Sequence, residues 1–141
     1  MPPKIFIDTY VFIYSFEFPY SNSRKVIDLL NKGQIEAVIS SRVFTEVLNY
    51  FNKYHGEKLS KHFRRYLSQS CFLIPAKFAE DIMEKLKGQI KEKDLEQIAV
   101  VRKLSITHLV AYDRDFKEFK EYTTPKEFIE LMGINASDTD Y

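Results

Sequence analysis

Asp8 follows the run Ile5-Phe6-Ile7, and Asp113 follows His108-Leu109-Val110-Ala111 by two residues, so both acids stand just past a short apolar strand. In an open α/β sheet, ligands bind in the crevice beyond the carboxyl ends of the strands. Asp8 has hydrophobic residues on either side, a costly setting for an unpaired charge. An Asx turn or a helix cap would also use an aspartate there. Glu46 shares a helical stripe with Val43 and Tyr50 and so borders an apolar face. By itself it also reads as a boundary residue whose head reaches water. Asp94 opens a helical segment, where an N-cap aspartate is equally at home. Asp113 and Asp115 flank Arg114. One could point inward with the other supporting it, or the three could form a polar surface turn.

Together, Asp8, Glu46, Asp94 and Asp113 form a set with no lysine or cysteine among them. Such a set repels itself unless a cation neutralises it. Hard divalent cations take oxygen ligands, and Mg²⁺ accepts one or two carboxylates alongside waters and substrate phosphate. The chemistry this suits is phosphodiester hydrolysis. One metal lowers the pKa of a bound water, and in two-metal sites a second, about 3.5–4 Å away, stabilises the leaving oxygen.

Composition narrows the alternatives. The 141 residues predict one domain over 1–134, with a flexible polar tail over 135–141. Lys and Arg total 21 against 20 Asp and Glu, a net charge of +1, so no global field draws the chain to a polyanion. The single cysteine, Cys71, excludes an intrachain disulfide and a multi-cysteine zinc site and reads as a small core residue. The four glycines, Gly33, Gly56, Gly88 and Gly133, are too scattered for a dinucleotide fingerprint, a phosphate-binding loop or a nucleophile elbow. Asp8 and Glu17 interrupt the N-terminal apolar stretch, so no signal peptide or membrane span is expected, and a cytoplasmic location is.

The elements that must position the acids alternate. Strands are predicted at Lys4–Ile7, Ile35–Ile39, Phe72–Ile74 and His108–Ala111, with a shorter fifth around Phe119–Thr123. Helices are predicted at Ser23–Lys32, Ser41–Tyr54, Glu57–Ser68, Lys77–Ile90 (weakened near Gly88) and Asp94–Leu104. A last helix starts at Thr124-Pro125-Lys126-Glu127, which has the form of a capping box with proline at the first position, and ends at Gly133. Strands separated by helices imply a parallel sheet covered on both faces.

Four segments carry a resemblance: Ile5-Phe6-Ile7-Asp8-Thr9, Thr45-Glu46-Val47-Leu48, Asp94-Leu95-Glu96-Gln97-Ile98-Ala99 and Val110-Ala111-Tyr112-Asp113-Arg114-Asp115-Phe116. In order and spacing they resemble the PIN-domain ribonucleases, the family that includes the VapC-type toxins. The resemblance runs from Lys4 to about Gly133. It implies a three-layer α/β/α sandwich with a central parallel sheet of about five strands. It also implies that Asp8, Glu46, Asp94 and Asp113 hold Mg²⁺ or Mn²⁺ and hydrolyse single-stranded RNA. Asp115 would be an outer member, and Thr9 a hydroxyl that orients a carboxylate. Tyr10 and Ala111 depart from the family, which often has small polar residues at these positions.

The resemblance further implies a homodimer and a small antitoxin that occupies the acidic pocket. RNA contacts could come from Lys61, Arg64 and Arg65, interleaved with Phe63 and Tyr66, though a solvated helix face explains the same run. Two other readings compete. A degenerate PIN-like scaffold would bind RNA or protein without catalysis. A haloacid dehalogenase-like phosphatase would use Asp8 as nucleophile, but it needs a second acid at position 10, where this chain has Tyr10.

Overall fold

Apolar β-branched and aromatic residues at Lys4–Ile7 form strand β1, which the following chain buries on both faces. The computed structural model describes residues 1–141. After β1 come helices α1 (Thr9–Glu17) and α2 (Asn22–Asn31), strand β2 (Glu36–Ser40), and helices α3 (Ser41–His55) and α4 (Glu57–Ser70). Strand β3 (Cys71–Ile74) leads through a 3₁₀ turn at Ala76–Ala79 to α5 (Glu80–Leu86) and α6 (Glu92–Lys103). Strand β4 (Leu109–Val110), a 3₁₀ turn at Arg114–Phe116, strand β5 (Tyr122–Thr123) and helix α7 (Pro125–Leu131) complete the chain.

The five strands are all parallel, in the order β3-β2-β1-β4-β5. β1 is central: Phe6 lies beside Val38 of β2 on one side and Leu109 of β4 on the other. The chain moves from β1 to β2 to β3 in one direction, then crosses back to β4 on the far side of β1. Right-handed crossovers therefore put α1–α4 on one face and α5–α6 on the other. The packing agrees: α1, α2, α3, α4 and α7 form one layer, while α5 and α6 pack with the Ala76–Ala79 turn in the other. This is the expected α/β/α sandwich around a five-stranded parallel sheet. Phe6, Phe12, Phe51, Phe116 and Phe128 are fully buried at its centre.

The capping box at Thr124 forms as expected, with the Thr124 hydroxyl accepting from the Glu127 amide at 3.1 Å. Other expectations need correction. Helix α1 lies where no element is predicted, because Thr9–Glu17 is apolar nearly all round and shows no stripe. The helix expected over Lys77–Ile90 is a 3₁₀ turn plus a short helix ending at Leu86; Gly88, at φ 84°, turns the chain beyond it. Helix α6 starts two residues earlier than expected, so Asp94 is its third residue and not its cap. Cys71 is half-buried on edge strand β3, and burial pushes its thiol up to about 12.

The polar tail over 135–141, expected to be flexible, is instead docked. Buried Asn22 accepts from the Ser137 amide at 2.7 Å and donates to the Ser137 carbonyl at 3.1 Å. Its own amide donates to the Tyr141 carbonyl, and the Tyr141 ring stacks on Phe18 at 4.6 Å. The sequence reading counts polar side chains here but not the buried amide that satisfies this backbone.

Candidate metal centre

The order of strands reverses between β1 and β4, and the predicted acids gather beyond the carboxyl ends of these two strands. Asp8 occupies the N-cap position of α1 in extended conformation, yet its side chain makes no capping hydrogen bond. Its Oδ1 is buried with no hydrogen-bond partner. Thr9, the next residue, donates its hydroxyl to Glu46 Oε1 at 2.9 Å and so ties the end of β1 to α3. Glu46 is itself exposed, with Arg42 Nε 3.9 Å from its other oxygen.

Helix α6 supplies Asp94, which is buried, and Gln97 one turn on, whose Oε1 is buried without a partner. Glu96 of the same helix accepts from the Ser41 hydroxyl at 3.0 Å and the Arg42 amide at 2.9 Å. It thereby satisfies the start of α3 and fixes the helix bearing Glu46 against the helix bearing Asp94. Asp113 caps the 3₁₀ turn after β4, its Oδ1 accepting from the Asp115 amide at 2.9 Å.

Asp8, Glu46, Asp94 and Asp113 line one cleft of about 320 Å³, together with Thr9, Tyr10, Tyr14, Lys93, Gln97 and Tyr112. A tighter grouping overlaps it: carboxylate oxygens of Asp94, Asp113 and Asp115 lie within 4.8 Å of one another. Asp115 belongs to this grouping but does not line the cleft. A larger hollow of about 720 Å³ lies elsewhere, around Arg102, Ser105 and Glu121, and holds none of the predicted residues.

Burial raises the Asp8 carboxyl to about 7 against the lowering effect of the Thr9 amide, with Glu46, Asp113 and Asp94 adding to the rise. Burial and then Asp113 raise Asp94 as well. Asp115 is lowered, chiefly by its hydrogen bond from Lys91. The donor set is oxygen only and one buried carboxylate oxygen is orphaned, so the residues fit a hard divalent cation.

Sequence reasoning missed Lys93 and Gln97. Lys93 Nζ sits 3.4 Å from both Asp113 Oδ2 and Asp115 Oδ2. Lys91 Nζ pairs with Asp115 at 2.8 Å. The signal for Gln97 was its i+3 spacing from Asp94. Of the family departures, Tyr10 lines the cleft, while Ala111 is fully buried and does not. Tyr112 also lines it and shares a hydroxyl hydrogen bond with Ser23. The basic run stands apart. Lys61 pairs with Glu57 at 3.0 Å and Arg64 lies over the Phe44 ring; neither they nor Arg65 line the cleft.

The PIN domain family matches residues 5–122. The chain belongs to the PIN-domain family. That membership makes it a member of a nuclease family and removes the phosphatase alternative. Solved structures share the PIN fold. A toxin–antitoxin complex from Klebsiella pneumoniae is 19% identical with TM-score 0.63, covering 87% of this chain and 98% of that one. VapC20 of Mycobacterium tuberculosis, a toxin that cleaves the sarcin–ricin loop, is 20% identical with TM-score 0.59, covering 81% and 93%. VapBC2 of Rickettsia felis, bound to a fragment of its promoter DNA, is 17% identical with TM-score 0.62, covering 86% and 96%. No curated protein matches the sequence significantly.

Proposed function

We propose that this PIN-domain protein is a divalent-metal-dependent endoribonuclease of single-stranded RNA and the toxin of a toxin–antitoxin pair. The observation that carries the reading is the convergence of Asp8, Glu46, Asp94 and Asp113 on one cleft at the switch in strand order. These four side chains would hold Mg²⁺ or Mn²⁺, with Asp115 as an outer member and Thr9 orienting Glu46. The bound cation would supply charge neutralisation at a phosphate and activation of water. No side chain of the cleft is asked to act as a covalent nucleophile.

RNA as substrate is supported by the sarcin–ricin loop activity in the name of one structural neighbour, and an antitoxin partner by the toxin–antitoxin complexes. Tyr10 is 46% exposed at the cleft and packs against Tyr14 and Tyr50, an aromatic wall on which an unpaired base can stack. We assign Lys61, Arg64 and Arg65 no part in the cleft. A single domain over 1–134 and assembly as a homodimer complete the reading. Light scattering of the purified chain tests the dimer. No helix is long and apolar enough to cross a membrane.

The test is titration of Mn²⁺ by calorimetry into wild type, Glu46→Gln and Asp94→Asn. Binding in wild type that is lost in Asp94→Asn and weakened in Glu46→Gln, with RNA cleavage lost in Asp94→Asn, is expected. Equal binding in all three would overturn the four-acid site. No binding in wild type would point to a PIN scaffold without metal chemistry.

A further inference from the structure

Within the proposed nuclease site, one cationic side chain has no assigned role. Lys93 is the second residue of α6, in a first turn where positive charge is disfavoured by the helix dipole. It is nonetheless drawn over the cleft, its Nζ 3.4 Å from both Asp113 Oδ2 and Asp115 Oδ2, and its side chain is about half exposed. Asp113 has little left to offer a metal in this arrangement. Its Oδ1 is engaged by the Asp115 amide, and its Oδ2 faces the ammonium. Lys91 differs, because it pairs only with Asp115 and does not line the cleft.

We propose that Lys93 is a built-in counter-cation of the site. In the metal-free protein its ammonium holds Asp113 and Asp115 together. A divalent cation must displace it, and the released Nζ then takes up a phosphate oxygen of the substrate. The inference rests on the metal-dependent reading but makes a separate demand. One side chain should oppose metal binding and favour phosphate binding. A lysine that merely decorates the surface, or merely shapes the loop, does neither in opposite directions.

The experiment titrates Mn²⁺ alone into wild type, Lys93→Met, Lys93→Arg and Lys91→Met. Inorganic phosphate is then titrated into the Mg²⁺-loaded proteins. Lys93→Met should bind Mn²⁺ about five- to tenfold more tightly than wild type and phosphate at least threefold more weakly. Lys93→Arg, which keeps the charge, should stay near wild type, and Lys91→Met should change Mn²⁺ affinity less than twofold. Position 93 is exposed, so all four should give the same circular dichroism. If wild type binds Mn²⁺ and Lys93→Met binds it equally, the counter-cation role is overturned while the metal site stands. If neither wild type nor Lys93→Met binds Mn²⁺, the metal-dependent reading falls and takes this inference with it. If only Lys93→Met binds, the cation does not displace the ammonium in wild type, and the exchange is overturned.

Discussion

Asp8 stands where a helix is usually capped, yet its carboxylate caps nothing and keeps one oxygen buried and unpartnered. Burial holds it protonated up to about pH 7, whereas in the unfolded chain it ionises near 3.8. Between those values the native state binds the extra proton, so this group makes stability fall as pH rises from about 4 to 7. The effect is on the order of 4 kcal/mol, at about 1.4 kcal/mol for each tenfold in proton affinity. Asp8→Asn should therefore melt higher than wild type at pH 8 without metal, and the two should converge near pH 4. Thermal unfolding followed by circular dichroism across that range checks it; a parallel pH dependence in the variant would refute the assignment. The acids themselves could be found in the sequence, since an aspartate after a short apolar strand is a local pattern. Lys93 could not, because its partners are about 20 residues away and its reach depends on where α6 begins.

The start of α6 shows how two residues of register matter. With Lys91 as the cap, Asp94 falls on the third helical position and shares a face with Gln97, and both point into the cleft. The first four strands and helices α2, α3, α4 and α6 were readable from periodicity to within a residue or two, whereas α5 and β5 are three or four residues shorter at an end than expected. Helix α1 was not, because its face toward solvent is nearly as apolar as its buried one. The docked tail was also unreadable, since its anchor depends on Asn22, which is more than a hundred residues away and looks polar and ordinary in the chain. Asn22→Ala removes three side-chain hydrogen bonds to the Ser137 and Thr139 backbone. It should cost about 1–3 kcal/mol and expose 135–141 to protease. Limited proteolysis with mass spectrometry reads this directly, and unchanged cleavage would mean that the Tyr141 stacking and the remaining hydrogen bonds, including the residue 22 amide to the Tyr141 carbonyl, suffice to hold the tail.

Metal binding at the proposed site would be linked to global stability, because the cleft draws on the end of β1, helices α3 and α6, and the turn after β4. A cation that binds only the folded chain stabilises it by about 2.7 kcal/mol at a hundredfold excess over Kd. For a chain of this size that raises Tm by several degrees. Mn²⁺ should thus shift Tm upward in wild type but not in Asp94→Asn. The shift should be larger at pH 8 than at pH 6, because binding requires Asp8 ionised. A shift of equal size in Asp94→Asn would place the ion elsewhere on the surface.

The strand order has one more consequence, for the history of each molecule. Asp8 precedes Asp113, which lines the same cleft, by 105 residues of chain. At about 5–20 residues per second, on the order of 5 to 20 s of translation separates them. Strands β1, β2 and β3 can pair during that interval, since their helices lie between them in the chain. Strand β4 cannot join until α6 has been made. A growing chain therefore carries half a sheet and no complete cleft until β4 and Asp113 have been made. No fragment that stops short of Asp113 carries the full set of cleft acids, however well its first three strands have paired.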